Sequence, residues 1–159
     1  MDTVQCWEAE NMADTQTNGV VLGKLNVLDE TLSELRSLVP VSRADLEADW
    51  KVRRAIERDL QILVEVVVDV CQRLIAINGQ SPAGTSAAAV QACVQLGVLS
   101  DRDEYRKMVQ FRNLLVHRYE RVNPEVLVDI VNNRLADIEK FRDEVLAYER
   151  SRTGHPGAD

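Results

Sequence analysis

Proline, glycine and aromatic residues are scarce in this chain of 159 residues, which has four prolines, seven glycines and 4% aromatics. With so few turn formers, and with long uninterrupted runs of Leu, Val, Ala, Arg and Glu, the composition points to an all-α fold. Cysteine is nearly as rare: three residues, an odd number at wide spacing, build no disulfide framework. Cys71 and Cys93 fall on apolar faces and read as small core residues, while Cys6 lies near the N-terminus. No set of His, Cys, Asp or Glu has metal-ligand spacing, so neither a metal nor another cofactor is expected. No apolar run reaches the span of a membrane helix, and the run Val66-Val67-Val68 is closed by Asp69. The first twenty residues hold acids but no basic residue or apolar block, the opposite of a signal peptide. These absences describe a reduced cytoplasmic protein that does not engage a membrane.

What is present has the size of one domain, with enough apolar residues, 45%, to bury a core. Val21, Leu25, Leu28, Leu32, Leu35 and Val39 repeat at helical spacing, and Pro40 closes that helix. Ser42 and Asp45 form a capping-box pair for a second helix, predicted from Arg43 to about Asn78, where Asn78-Gly79 stops it. This helix carries two apolar stripes: Ile56, Leu60, Leu63, Val67, Val70 and Leu74, and beside them Val64, Val68, Cys71 and Ile75. So broad an apolar surface needs cover on several sides, part of it from a second copy of the chain. A short helix from about Ala87 to Leu96 ends at Gly97, and Ser100 is placed to cap the next. Asn123-Pro124-Glu125 opens a last helix that runs to about Glu149. The expectation is five helices in an antiparallel bundle over 19–150, between a flexible leader, 1–18, and a flexible tail, 151–159.

The net charge of −7 argues against a protein that coats nucleic acid by bulk electrostatics. Yet from Arg102 to Arg121 six basic residues (Arg102, Arg106, Lys107, Arg112, Arg118, Arg121) face three acids. Within this stretch lies Arg112-Asn113-Leu114-Leu115-Val116-His117-Arg118-Tyr119. It contains the one histidine outside the C-terminal tail, where His155 reads as incidental. His117 stands four residues after Asn113, on the same helical face. A guanidinium, an amide, an imidazole and a phenol within a few turns have no use in a core. Taken alone, the pair also fits a histidine favoured by a helix C-terminus and an arginine on a solvated face. In the long second helix, Glu65 and Asp69 share a face. Arg112 and His117 are candidate partners for Asp69, and Arg58 or Arg73 for Glu65.

The arginine, four residues, histidine, one residue, tyrosine pattern resembles the signature of the HepT-like toxins of the HEPN superfamily. Arg53 through Asp69 is similar to that family's long second helix, and Leu96-Gly97-Val98-Leu99 sits where the family turns before its signature helix. About residues 20–148 can be matched. The connection Pro82-Ala83-Gly84-Thr85-Ser86 departs from the pattern, since it lacks an aromatic that often stands there. The resemblance implies the toxin of a type VII-like toxin–antitoxin pair, a metal-independent endoribonuclease that cuts mRNA or tRNA. It also implies a homodimer, with Arg112 binding phosphate, His117 acting in acid/base chemistry, and Asn113 and Asp69 in support. Arg118 and Arg121 would contact substrate. Tyr119 would accept AMP from an MntA-like nucleotidyltransferase antitoxin that silences the toxin. The other reading left open is a non-catalytic helical module that binds a nucleotidyltransferase or a nucleotide.

Overall fold

The computed structural model describes residues 3–117 and 122–153, with side chains from residue 19 onward. Among these residues the chain is entirely helical: α1 (Thr3–Arg36), α2 (Arg43–Ala48), α3 (Trp50–Ile77), α4 (Ser86–Gln95), α5 (Asp103–Val116), α6 (Pro124–Asp129), a π-helical turn (Ile130–Arg134) and α7 (Leu135–Arg152). No helix among them is long and apolar enough to cross a membrane. The helix count exceeds the five expected because two predicted helices are each interrupted once. No break separates residues 3–18 from the helix that follows, since the α1 backbone runs on from Thr3.

The first interruption falls at Asp49. The Ser42–Asp45 capping box forms as predicted, with the Ser42 amide donating to Asp45 Oδ2 at 2.8 Å. One turn and a half later, however, Asp49 adopts extended backbone angles, and its carboxylate accepts the Lys51 amide at 2.9 Å. Asp49 therefore ends α2 and caps α3, a dual role open to a short acidic side chain that competes for backbone amides. The 28-residue α3 is about 42 Å long. At its far end Gly79, at φ 72°, lets the Gln80 amide reach the Ile75 carbonyl at 3.1 Å. Gly97 closes α4 in the same way, with the Val98 amide on the Cys93 carbonyl at 3.0 Å.

The second interruption is the π turn between α6 and α7. Its extra residue re-aims Asn132 so that the amide side chain grips the Val41 backbone on both sides, accepting from its N–H at 3.0 Å and donating to its carbonyl at 2.8 Å. The start of this region follows the prediction: the Asn123 side chain accepts the Glu125 amide at 2.9 Å, with Pro124 in the first turn.

The core is one cluster organised on α3, against which α1, α2, α4 and α5 pack. Every residue of its first apolar stripe is buried, as are Val64, Cys71 and Ile75 of the second, and Val68 is half-buried. The second copy inferred from the breadth of this surface is thus not needed to cover it. Cys71 and Cys93 are both buried, as expected of small core residues. Val39 departs from its helix's apolar stripe and is exposed. Ser100 caps nothing; α5 starts at Asp103 without a side-chain cap, and the Ser100 hydroxyl and amide both donate to Glu144 of α7. Glu65 pairs with neither Arg58 nor Arg73, and instead accepts from the Gln61 amide at 2.9 Å.

One carboxylate near the α1–α3 seam is under strain. Burial, and then a hydrogen bond to Glu34 of α1, raise the Asp59 pKa to about 6 from 3.8, with Arg58 opposing the shift. An acid whose folded pKa is raised holds its proton better when folded. Its contribution to stability is present below the unfolded value and is lost as pH rises through the folded one, here from about pH 4 to pH 6. Asp59→Asn is therefore expected to raise the melting temperature at pH 7, by a few degrees at most, and to give no gain at pH 4. Melting curves that run parallel for variant and parent across that range would contradict this assignment.

Candidate active site

The polar stretch singled out in the sequence occupies the end of α5 and the residue after it. Arg112 stands seven residues after Tyr105 and three after Val109, on the face that α5 buries. Leu114 and Val116 are 49% and 51% exposed, while Arg112 is half-buried. Exposed apolar side chains next to an enclosed cation mark a surface shaped for something other than solvent.

Arg112 is held from α4. Its Nη1 donates to the hydroxyl of Ser86, the first residue of that helix, at 3.0 Å, and its Nε is buried with no hydrogen-bond partner among the described residues. No carboxylate pairs with it there. A guanidinium fixed by a hydroxyl keeps its full charge for an incoming anion, and a planar fork suits phosphate. The placement of Ser86 depends on α3. The Gln72 side chain clamps Ala83, donating to its carbonyl at 2.9 Å and accepting its amide at 3.0 Å, and Thr85 then caps α4 by accepting the Ala88 amide at 3.0 Å.

His117 lies one residue beyond α5, in non-helical geometry, with its backbone amide donating to the Asn113 carbonyl at 3.3 Å. The tie between these two residues is therefore through the main chain, and the Asn113 side chain is exposed. α5 itself stops at Val116. Arg118, Tyr119 and Arg121 lie outside the described residues.

His117 opens on a cleft of about 810 Å³ that Arg112 does not line. Its other wall is the start of α3: Trp50, Arg53, Arg54, Glu57, Arg58 and Gln61, with Leu114, Leu115 and Val122 completing it. Three guanidiniums face one carboxylate. Arg53 binds Glu57 at 2.9 Å and the Val122 carbonyl at 2.6 Å, and Arg54 reaches Glu57 at 3.5 Å. Arg58 makes no hydrogen bond or ion pair with another described residue. These α3 residues were missed as site residues, although a signal existed. Trp50, Arg54 and Arg58 recur every four residues, so one helical face carries an indole and two cations.

Asp69 is not part of this arrangement. It is exposed on another part of α3 and pairs with Lys24 of α1 at 3.3 Å, so it partners neither Arg112 nor His117. A second groove, of about 530 Å³, lies between α3, α5 and the π turn, and is lined mainly by apolar side chains such as Leu60, Leu63, Met108, Phe111 and Ile138.

The helix that carries the signature thus ends, in an all-helical fold, at a histidine that opens on a basic cleft. The family model described as Ribonuclease HepT-like matches residues 28–145, and the chain belongs to that family. It is similar to the mRNA nuclease HepT of Shewanella oneidensis, with 23% identity over 135 residues that cover 82% of this chain and 98% of that one. Among solved structures, it resembles a tri-AMPylated Shewanella oneidensis HEPN toxin in complex with MNT antitoxin, at a TM-score of 0.73 and 20% identity, covering 80% of this chain and 97% of that one. It also resembles the cytosolic protein YutE of Bacillus subtilis, at a TM-score of 0.71 and 17% identity, covering 89% and 96% of the two chains.

The contrast between Arg112 and Asp69 is measurable. Ser86→Ala removes an acceptor from a half-buried guanidinium and is expected to cost about 1–2 kcal/mol in urea unfolding. Asp69→Asn breaks an exposed ion pair and is expected to cost less than about 0.5 kcal/mol. The reverse order of costs would reverse these assignments.

Proposed function

We propose that this chain is the toxin of a toxin–antitoxin pair, a metal-independent endoribonuclease that a nucleotidyltransferase silences by adenylating Tyr119. The observation that carries the reading is His117, exposed at the mouth of a cleft with excess positive charge, five residues after an arginine held without a carboxylate. In such a site the 2′-oxygen of RNA attacks the adjacent phosphorus as an imidazole takes its proton. The bond to the 5′-oxygen breaks as a second acid protonates the leaving group. Arg112 would hold the charge that builds on the phosphate oxygens.

One imidazole cannot serve as base and acid in the same step. A homodimer supplies the second His117, and the exposed Leu114, Val116 and Val126 give a second copy apolar surface close to the histidine. Asn113 would contact the ribose, and Arg118 and Arg121 would add positive charge for the RNA backbone. For regulation, the Tyr119 phenol oxygen attacks the α-phosphorus of ATP, losing its proton and releasing pyrophosphate. The added phosphodiester then competes with RNA for the same cations. The tri-AMPylated Shewanella toxin in complex with its antitoxin supports this reading.

Expression of the chain alone, and together with a nucleotidyltransferase encoded beside it, tests the proposal through growth and RNA integrity. His117→Ala is expected to lower cleavage by about 10²–10⁴-fold without moving the melting temperature, and Arg112→Ala to weaken phosphate binding. RNA cleavage by His117→Ala at the parent rate would remove the acid/base role. In the co-expressed protein, adenylate mass should map to the peptide with Tyr119 and vanish in Tyr119→Phe. Adenylate found elsewhere would refute the regulatory half.

A further inference from the structure

Trp50 is the most exposed large hydrophobic side chain among the described residues, at 69%. The Lys51 ammonium lies 6.0 Å from the centre of its ring, a contact that an arriving base would displace or share. The position of this indole is enforced: Asp49 breaks the chain between α2 and α3 and caps α3, so Trp50 is fixed as the first residue of a rigid helix. The indole lines the same cleft as His117. Arg54 and Arg58 follow it on one helical face at steps of about 6 Å, which is on the scale of one nucleotide step in an unstacked strand. Of the three arginines in the cleft, Arg53 is occupied by Glu57 and the Val122 carbonyl, and Arg54 only loosely by Glu57. Arg58 makes no hydrogen bond or ion pair with another described residue, and the one carboxylate that feels its charge is its neighbour Asp59.

An aromatic face followed by cations at nucleotide spacing fits single-stranded nucleic acid, because every base offers a π-face and every step a phosphate. We propose that this wall of the cleft is a substrate subsite: Trp50 stacks one base of a single-stranded RNA, and Arg58, with Arg54, holds the phosphate next to it while the scissile link lies at His117. The proposal rests on the ribonuclease reading and adds a binding role for α3. It also gives the enzyme a reason to prefer unpaired RNA, since a base inside a duplex cannot present its face to the indole.

The test uses the full chain carrying Trp7→Phe, so that Trp50 is the one remaining indole. The probe is a 2′-O-methylated octaribonucleotide, which binds but cannot be cut because its nucleophile is blocked. Saturating probe is expected to quench the Trp50 emission. In anisotropy titrations of labelled probe, Trp50→Ala should weaken binding ~10-fold without changing the dependence of log K on log salt, while Trp50→Phe keeps part of the affinity. Arg58→Gln should weaken binding and make that slope shallower by about 0.7, the signature of one lost phosphate contact on a single strand. Unchanged melting temperatures would show that these exposed positions carry no fold.

Unquenched emission at saturation, or Trp50→Ala and Arg58→Gln affinities within about twofold of the parent's, would overturn the subsite while leaving the ribonuclease reading intact. A parent chain that neither binds the probe nor cuts unmodified RNA removes both. Variants that bind RNA normally but are no longer adenylated by the nucleotidyltransferase would assign this wall to the partner protein and refute the proposal.

Discussion

The burial of α3 is the constraint from which the other helices take their places. Two adjacent apolar stripes leave this helix little surface that water can wet, and each fully buried Leu, Ile or Val contributes about 1.5–3 kcal/mol. Helices α1, α4 and α5 therefore pack around it. In its first three turns α3 still buries Ile56 and Leu60, but Arg53, Arg54, Glu57, Arg58 and Gln61 line the cleft on its other side. The cleft forms there because the sequence of α3 turns polar at that point. The same helix thus nucleates the core with one part of its length and walls the candidate site with another.

Around the signature, α7 and α4 do separate work on α5. From α7, Phe141 meets Tyr105 edge-on at 6.0 Å and Glu144 takes both donors of Ser100, which fixes the start of α5. The Arg102 guanidinium sits 5.7 Å from the centre of the Tyr105 ring and within 3.8 Å of Asp137. From α4, Ser86 holds Arg112 near the other end. The helix is anchored where it starts and carries its functional groups where it ends, beyond the last hydrogen-bonded turn. A histidine at that point is free of helical packing, yet its backbone is tethered to Asn113.

Much of this was legible in the chain. Period, caps and C-terminal glycines announced the helices, because a buried stripe at 3.6-residue spacing and a left-handed glycine each have a single common explanation. The breaks were harder. Asp49 and the π turn at Ile130–Arg134 interrupt runs that keep helical periodicity on both sides. What decides them is a local contest for backbone hydrogen bonds, and tertiary contacts such as the Asn132 grip on Val41 tip it. The site was half legible. Arg112 and His117 were singled out from residue types that a core rejects, but Asp69, a candidate partner for them, pairs with Lys24 instead. Asp69 looked buried because it follows three valines, yet it stands on the exposed side next to Lys24. Trp50, Arg54 and Arg58 were passed over because a basic helical face reads as solvated until the fold sets it opposite a histidine.

The charge of the whole chain sharpens the argument for that face. Acids outnumber Lys and Arg by 26 to 19, and many arginines are committed to carboxylates: Arg43 to Glu47 and Glu125, Arg106 to Asp101 and Asp103, Arg142 to Asp29 and Asp143. In a molecule with acid to spare, Arg112 has no carboxylate partner among the described residues, and Arg58 forms no ion pair there and meets only the field of its neighbour Asp59. A polyanion approaching this surface is repelled by most of it. The field turns favourable only where cations outnumber acids, and a cleft concentrates that effect. The acidic body would therefore discourage non-specific contact with polyanions while the cleft stays open to one, favouring selectivity over affinity. An anion placed inside the cleft would cancel that local excess of positive charge.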